Sequence, residues 1–165
     1  MSKTALLIIA VFCLSSVLAW SPPNFKQCDS RWGSQILGHG PDTICKSGCL
    51  MTSVTSMVVG CGQKYDPSSM NAWLKSHGGF SGDLFVWGSV SSLGFTFRGK
   101  ITGTPAIKAA YKAGQRVILN VNQGHHYVLA TGDSGTGFNV MDPGSNKAHY
   151  TYGEVVSASI FSAGC

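Results

Sequence analysis

Residues 126–142, His126-Tyr127-Val128-Leu129-Ala130-Thr131-Gly132-Asp133-Ser134-Gly135-Thr136-Gly137-Phe138-Asn139-Val140-Met141-Asp142, decide how this chain folds. Two β-branched and apolar runs flank a turn of glycines and short polar residues, the pattern of an antiparallel hairpin. If the turn centres on Ser134, the numbers of facing residues add to twice 134, and His126 stands opposite Asp142. Directly opposed Cβ atoms lie about 4.5–5.5 Å apart. The alternating face between them carries Val128, Ala130, Phe138 and Val140, all apolar. An imidazole and a carboxylate thus crown a face that is otherwise core.

The neighbouring segments extend this sheet. Arg116–Val121 is β-branched and apolar and reads as a buried strand; Tyr150–Tyr152 and Val155–Phe161 read as further strands. The segments before them are helical, in short pieces broken by glycine. Leu50, Met51, Val54, Met57 and Val58 recur with helical spacing after Ser47-Gly48, and Gly60 and Gly62 end the run. Asp66 suits an N-cap with Pro67 at the first helical position, and that helix runs through Met70, Trp73 and Leu74 to Gly78-Gly79. Two more helices are expected, over Asp83–Leu93 and over Thr104–Ala113, the latter with Pro105 in its first turn and Gly114 at its end. Helices first and an antiparallel sheet second make an α+β fold. Trp32, Trp73 and Trp87 are expected in the core or at its rim.

The chain has 165 residues, 44% hydrophobic, 12% charged, with 21 glycines and a formal charge of +5. That hydrophobic content excludes disorder, and the low charge excludes a long solvated helix. The first nineteen residues stand apart. Lys3, the apolar run Ala5–Phe12 and the small-residue site Val17-Leu18-Ala19 make a secretory signal, too short to span a hydrocarbon core of about 30 Å. The expected organisation is a signal peptide at residues 1–19 and one domain at residues 20–165, secreted or delivered to the lumen of the secretory or endolysosomal pathway, with no membrane association after cleavage. No two Lys or Arg residues are adjacent and no basic stripe forms, so a nucleic-acid partner is not expected.

Cleavage also removes Cys13 and leaves Cys28, Cys45, Cys49, Cys61 and Cys165. In an oxidising compartment four can pair and one is odd. Cys49 sits at the start of the predicted helix, where unpaired backbone N–H groups and the helix dipole favour an anion; that makes it the candidate reactive thiol. A disulfide or a buried core position is the structural alternative for it. Cys45 and Cys49 with a histidine match no common zinc spacing, and no metal or cofactor is expected. Four cysteines allow three pairings, and the sequence does not choose among them.

Gln27-Cys28-Asp29-Ser30-Arg31-Trp32, Ile36-Leu37-Gly38, Gly48-Cys49 with Thr52-Ser53 and Met57, Gly124-His125-His126-Tyr127-Val128, and Val140-Met141-Asp142-Pro143 occur in that order. Together, over roughly Phe25 to Gly144, they resemble the peptidase C39-like domains of the papain-like cysteine peptidases. The resemblance implies a papain-like α+β fold, with the nucleophile at a helix N-terminus in a helical part packed on a C-terminal antiparallel sheet. It implies that Cys49 is the nucleophile, His126 the general base and acid, and Asp142 its orienting partner. Gln27 would complete an oxyanion hole with the Cys49 N–H. The implied activity is hydrolysis of peptide bonds through a thioester acyl-enzyme, by a monomer acting on a peptide or protein substrate. An amidase or transpeptidase on cell-wall peptides would use the same triad. A catalytically silent binding module would keep the fold, although retention of Cys49, His126, Asp142 and Gln27 together argues against silence. His125 falls on the alternate face of its strand and is not expected to be catalytic. The cleft between the two halves would be rimmed by Gly33–Asp42 and Gly78–Gly82. Cys28, Cys45, Cys61 and Cys165 depart from the family pattern and point to two disulfides. A Cys28–Cys45 bridge would brace the site, and Cys61–Cys165 would tie the C-terminus to the end of the catalytic helix.

Overall fold

A computed structural model describes residues 20–165; the expected signal peptide at residues 1–19 lies outside the described residues. The short helix α1 (Ile44–Ser47), capped by Thr43, leads through Gly48 into α2 (Cys49–Val59). Gly48 has an ordinary φ of −84°. It is glycine for space: a Cβ there would lie 2.4 Å from Ile44 O. Every residue of α2 from Met51 to Val58 is buried, so this helix runs through the interior rather than over it. Its hydroxyls are partly satisfied within the fold: Thr55 Oγ1 donates to Met51 O at 2.8 Å and Ser53 Oγ donates to Tyr127 O at 3.2 Å. Helix α3 (Pro67–Ser76) starts at Asp66 as expected. The Asp66 carboxylate accepts from Ser69 N at 2.7 Å, and Ser69 Oγ accepts from Asp66 N at 2.9 Å, a reciprocal capping box.

The helix expected over Asp83–Leu93 does not form. Strands β1 (Phe80–Ser81) and β2 (Leu84–Phe85) make a hairpin that turns through Gly82 at φ +65°, and Ser89–Leu93 form a 3-10 turn. The facing rings of Phe80 and Phe85 meet edge-on with centroids 6.5 Å apart, a tertiary contact that overrides the local helical spacing. Strand β3 (Phe95–Ile101) follows, a strand not anticipated from the sequence. A bulge between Phe97 and Gly99, with Gly99 at φ +116°, interrupts its alternation.

After α4 (Thr104–Lys112), with Pro105 in its first turn as expected, come β4 (Arg116–Val121), β5 (His126–Asp133), β6 (Gly137–Met141), β7 (His149–Thr151) and β8 (Ser157–Ala163). With β3 they form a six-stranded, wholly antiparallel sheet in the order β3-β8-β4-β5-β6-β7. The fold is α+β, with one amendment: β3 precedes α4 and pairs with the last strand, so one strand of the sheet comes before the last helix.

Strand period splits the core into two layers. Ile118, Leu129 and Phe161 face α2 and α3, packing with Met51, Val54 and Leu74. Val117, Leu119, Val121, Val128, Ala130, Phe138 and Val140 face the other side, beneath Ile107 of α4. Strand β4 is therefore covered on both faces, which is why Val117, Ile118 and Leu119 are apolar in succession. Two disulfides join Cys28 to Cys45 and Cys61 to Cys165, leaving Cys49 as the free cysteine among the described residues. No helix among the described residues is long and apolar enough to cross a membrane.

The β5–β6 register differs from the one centred on Ser134. Asp133 faces Phe138, and Ala130 faces Val140 rather than Phe138. The turn lies later than expected and a bulge between Ala130 and Gly132 takes one residue back, so the ladder beyond it is offset by two. An even offset leaves every side chain on its face, and Val128, Ala130, Phe138 and Val140 do share one core layer. Continuing the ladder sets Val128, not His126, opposite Asp142.

Candidate active site

Cys49 is the first residue of α2, in the turn whose N–H groups have no carbonyl one turn earlier in the helix to bond. His126 opens β5, delivered by a tight turn in which Asn122 and Gln123 take φ of 52° and 57° and Gly124 takes 97°. Left-handed backbone at the two non-glycine residues costs on the order of 1 kcal/mol each. Asn120 Nδ2 helps to hold the turn by donating to Gly124 O at 3.1 Å. Gly144 makes room for the ring on the far side: a Cβ there would lie 2.9 Å from His126 Cε1.

His126 Nε2 and Asp142 Oδ1 are 2.7 Å apart, and Asp142 is 1% exposed. The carboxylate is fully bonded. Oδ1 also accepts from Gly144 N at 2.8 Å and Ser145 N at 3.2 Å, while Oδ2 accepts from Ser145 Oγ at 2.8 Å and Tyr150 OH at 2.9 Å. Burial pushes the Asp142 pKa up, but the hydrogen bonds from His126, Ser145 and the Gly144 N–H outweigh it and hold the group well below the usual carboxylate range. Burial and the adjacent carboxylate raise the Tyr150 pKa, so its hydroxyl stays a donor.

For His126, burial pushes the pKa down, while the hydrogen bonds to Asp142 and Cys49 and the negative charge of both raise it, to about 9 overall. With Nε2 committed to Asp142, Nδ1 is the nitrogen left for the Cys49 thiol. The three residues therefore line up as thiol, imidazole and buried carboxylate.

Gln27 is 8% exposed and lines a cavity of about 320 Å³ together with His126, Asp142 and Tyr150. Its Nε2 donates to Cys45 O at 2.6 Å, and its Oε1 is buried with no partner. The backbone fixes it to the acid loop: Gln27 N donates to Pro143 O at 2.9 Å. Next to it, Lys26 Nζ donates to Asp142 O at 2.7 Å and also to Ser145 O. Residues 26–27 thus strap the loop that carries Asp142, and the Cys28–Cys45 disulfide lies directly beside the strap. Cys61–Cys165 lies at the other end of α2.

A second cavity, of about 270 Å³, opens at Cys49 between Leu37, the β1–β2 hairpin and Tyr127. Both segments expected to rim a cleft contribute to it, through Leu37 and Phe80. His125 is exposed and lines both cavities.

Sequence reasoning missed Lys26, Gly144, Ser145 and Tyr150. Asp142-Pro143-Gly144-Ser145 does carry a local signal, since an aspartate that begins such a turn commonly accepts the N–H two residues on. Lys26 and Tyr150 have none; their partners come from tertiary folding. Among the described residues no group of three or more His, Cys, Asp or Glu is placed to hold a metal ion. Comparison with known proteins finds no matching family model, no matching curated protein and no matching solved structure.

Proposed function

We propose that the chain is a secreted cysteine peptidase of papain-like type, acting through Cys49, His126 and Asp142. One observation carries the reading. A free cysteine at a helix start stands close enough to the His126 ring to raise its pKa, and Nε2 of that ring is 2.7 Å from a carboxylate that is 1% exposed and fully hydrogen-bonded. The nucleophile-bearing helix against an antiparallel sheet that bears the base supports the papain-like assignment, as does the motif resemblance. Two disulfides and the signal-like N-terminal sequence support secretion.

In the proposed reaction the Cys49 sulfur attacks a peptide carbonyl carbon while the His126 imidazolium holds a proton on Nδ1. Negative charge moves onto the carbonyl oxygen, where the Cys49 N–H and the second Nε2 hydrogen of Gln27 receive it. The C–N bond breaks, His126 gives its proton to the departing amine, and a thioester remains on Cys49. Neutral His126 then takes a proton from water, whose oxygen displaces the sulfur and releases the acid. Asp142 keeps the ring oriented and stabilises its charged form in both halves. Cys45 O holds the other Gln27 Nε2 hydrogen and so fixes the amide plane.

A library of peptide amides and a panel of cell-wall peptides test the reading by release of new amines and by a thioester adduct on Cys49 trapped at low pH. Wild type is expected to turn over peptide bonds, and Cys49→Ala to be inert. Turnover confined to cell-wall peptides would make the protein an amidase or transpeptidase. No turnover and no adduct on either set would make it a binding module.

A further inference from the structure

The cavity at Cys49 has apolar walls, with Leu37, Phe80 and Phe85 among them, and one carboxylate, Asp83. The chain has seven Asp and Glu residues. Asp83 is the one among the described residues whose side chain accepts no hydrogen bond within the chain; the other six are bonded to Arg31, Lys46, Ser69, Tyr152, His126 and Lys147 or to neighbouring backbone. It is nevertheless held in place. The hairpin turns at Gly82, whose carbonyl accepts from His39 N at 2.7 Å. Gly40 packs flat against Asp83: a Cβ at position 40 would lie 2.5 Å from Asp83 Cβ and 2.8 Å from its Cγ. The fold thus makes room for a carboxylate that it does not use internally.

The local charge balance is negative. Lys46 is the one Lys or Arg side chain on this cavity among the described residues, and its Nζ is 2.7 Å from Asp42, whose other oxygen accepts from Ser47 Oγ at 2.5 Å. One ammonium therefore faces two carboxylates. The remaining ionisable groups on the cavity are Cys49, Tyr127 and the exposed His125. Leu84, beside Asp83 on the same wall, is 71% exposed, a large apolar surface that the described residues leave uncovered. At about 270 Å³ the cavity is just smaller than the ~300 Å³ at which small-molecule pockets begin, a size for one side chain rather than a large ligand.

We infer that this cavity is a side-chain subsite for a long aliphatic cation, a lysine or arginine of the peptide substrate, and that Asp83 is its specificity-determining residue. The inference rests on the hydrolase reading above and supplies its substrate class. The methylene stem packs on Leu37, Phe80, Phe85 and Leu84, and the cationic head meets Asp83. A neutral side chain of the same shape fills the same space but leaves a carboxylate covered and unpaired, which disfavours it.

The test uses acetyl-dipeptidyl chloromethyl ketones with lysine or norleucine at either of the two residues before the ketone. The Cys49 thiolate displaces chloride from the reagent and forms a thioether. At one of the two positions, lysine is expected to inactivate about tenfold faster than norleucine, the size of one charge-assisted contact. In Asp83→Asn that ratio falls to near one, because the lysine head loses its partner and norleucine no longer covers an unpaired carboxylate; a melting curve like that of wild type shows the variant to be folded. In Asp83→Lys a glutamate reagent overtakes the lysine reagent. Modification of Cys49 with no lysine preference, or a preference that survives Asp83→Asn, overturns the inference and leaves the hydrolase reading intact. No modification of Cys49 by any reagent overturns both.

Discussion

The buried Asp142 carboxylate meets His126 Nε2 at 2.7 Å although the two residues are not opposite one another in the β-ladder. Asp142 lies just past β6, in a turn where backbone N–H groups, a serine hydroxyl and a tyrosine hydroxyl converge on it. His126 in turn is seated against Gly144. The pair is thus fixed by the loop after the strand more than by the strand itself. That loop is where the ionisation of the site is set.

Asp142→Asn is expected to move the alkaline limb of activity. The His126 pKa is about 9 against an ordinary 6.5, and the Asp142 hydrogen bond is the largest influence raising it. Wild-type rates should fall as pH rises through about 9, when the imidazolium loses its proton. In the variant that limb should drop towards 6.5, with about 10²-fold or greater loss of turnover. A pH profile of thioester formation reads both. The same raised pKa stabilises the fold fully below about 6.5, and this contribution is lost as pH rises through about 9.

Ser145→Ala is expected to weaken the fold in a pH-dependent way. Ser145 helps to depress the Asp142 pKa, so its contribution is present above the unfolded value near 3.8 and is lost as pH falls towards the lower folded value. Melting curves should show a deficit of about 1 kcal/mol at neutral pH. The deficit should close as Asp142 protonates in strong acid.

Lys26→Met should lower stability by about 1–2 kcal/mol, from loss of the two hydrogen bonds to Asp142 O and Ser145 O. Lys26 touches neither Cys49 nor the ring and acts through the strap, so kcat should fall with little change in KM. Lys26→Arg should restore part of it. An effect on melting temperature alone would make Lys26 merely structural.

Gly48→Ala tests the junction that presents Cys49. Its Cβ would approach Ile44 O to 2.4 Å, so either α1 or the first turn of α2 must shift. A loss of about 1–3 kcal/mol is expected, the usual range for overpacking, together with slower reaction of Cys49. Thermal unfolding and a thiol-specific reagent measure the two effects.

The start of α2 and the pairing of His126 with Asp142 were legible in the sequence, for different reasons. Gly48 and the apolar spacing after it are local signals, and local physics decides a helix start. The His126–Asp142 meeting was legible because side chains alternate along a strand: an offset of two residues from the expected register preserved the face. The hairpin at Phe80–Phe85 was not legible, since a contact between the two rings, rather than the run from Asp83 to Leu93, selects it. Strand β3 was hidden by its bulge at Gly99. Lys26 reaches across 116 residues to Asp142 O, and no pattern near either residue announces that.

The most direct measurement is the rate at which iodoacetamide alkylates Cys49 in the non-reduced protein at mildly acidic pH, with the adduct located by mass. A single fast modification at Cys49 is predicted, far faster than a free cysteine under the same conditions. His126→Ala should slow it at least about tenfold, because the imidazole beside the sulfur is gone. Cys49 found in a disulfide, or alkylated no faster than an ordinary thiol and indifferent to His126, would contradict the Cys49–His126–Asp142 assignment.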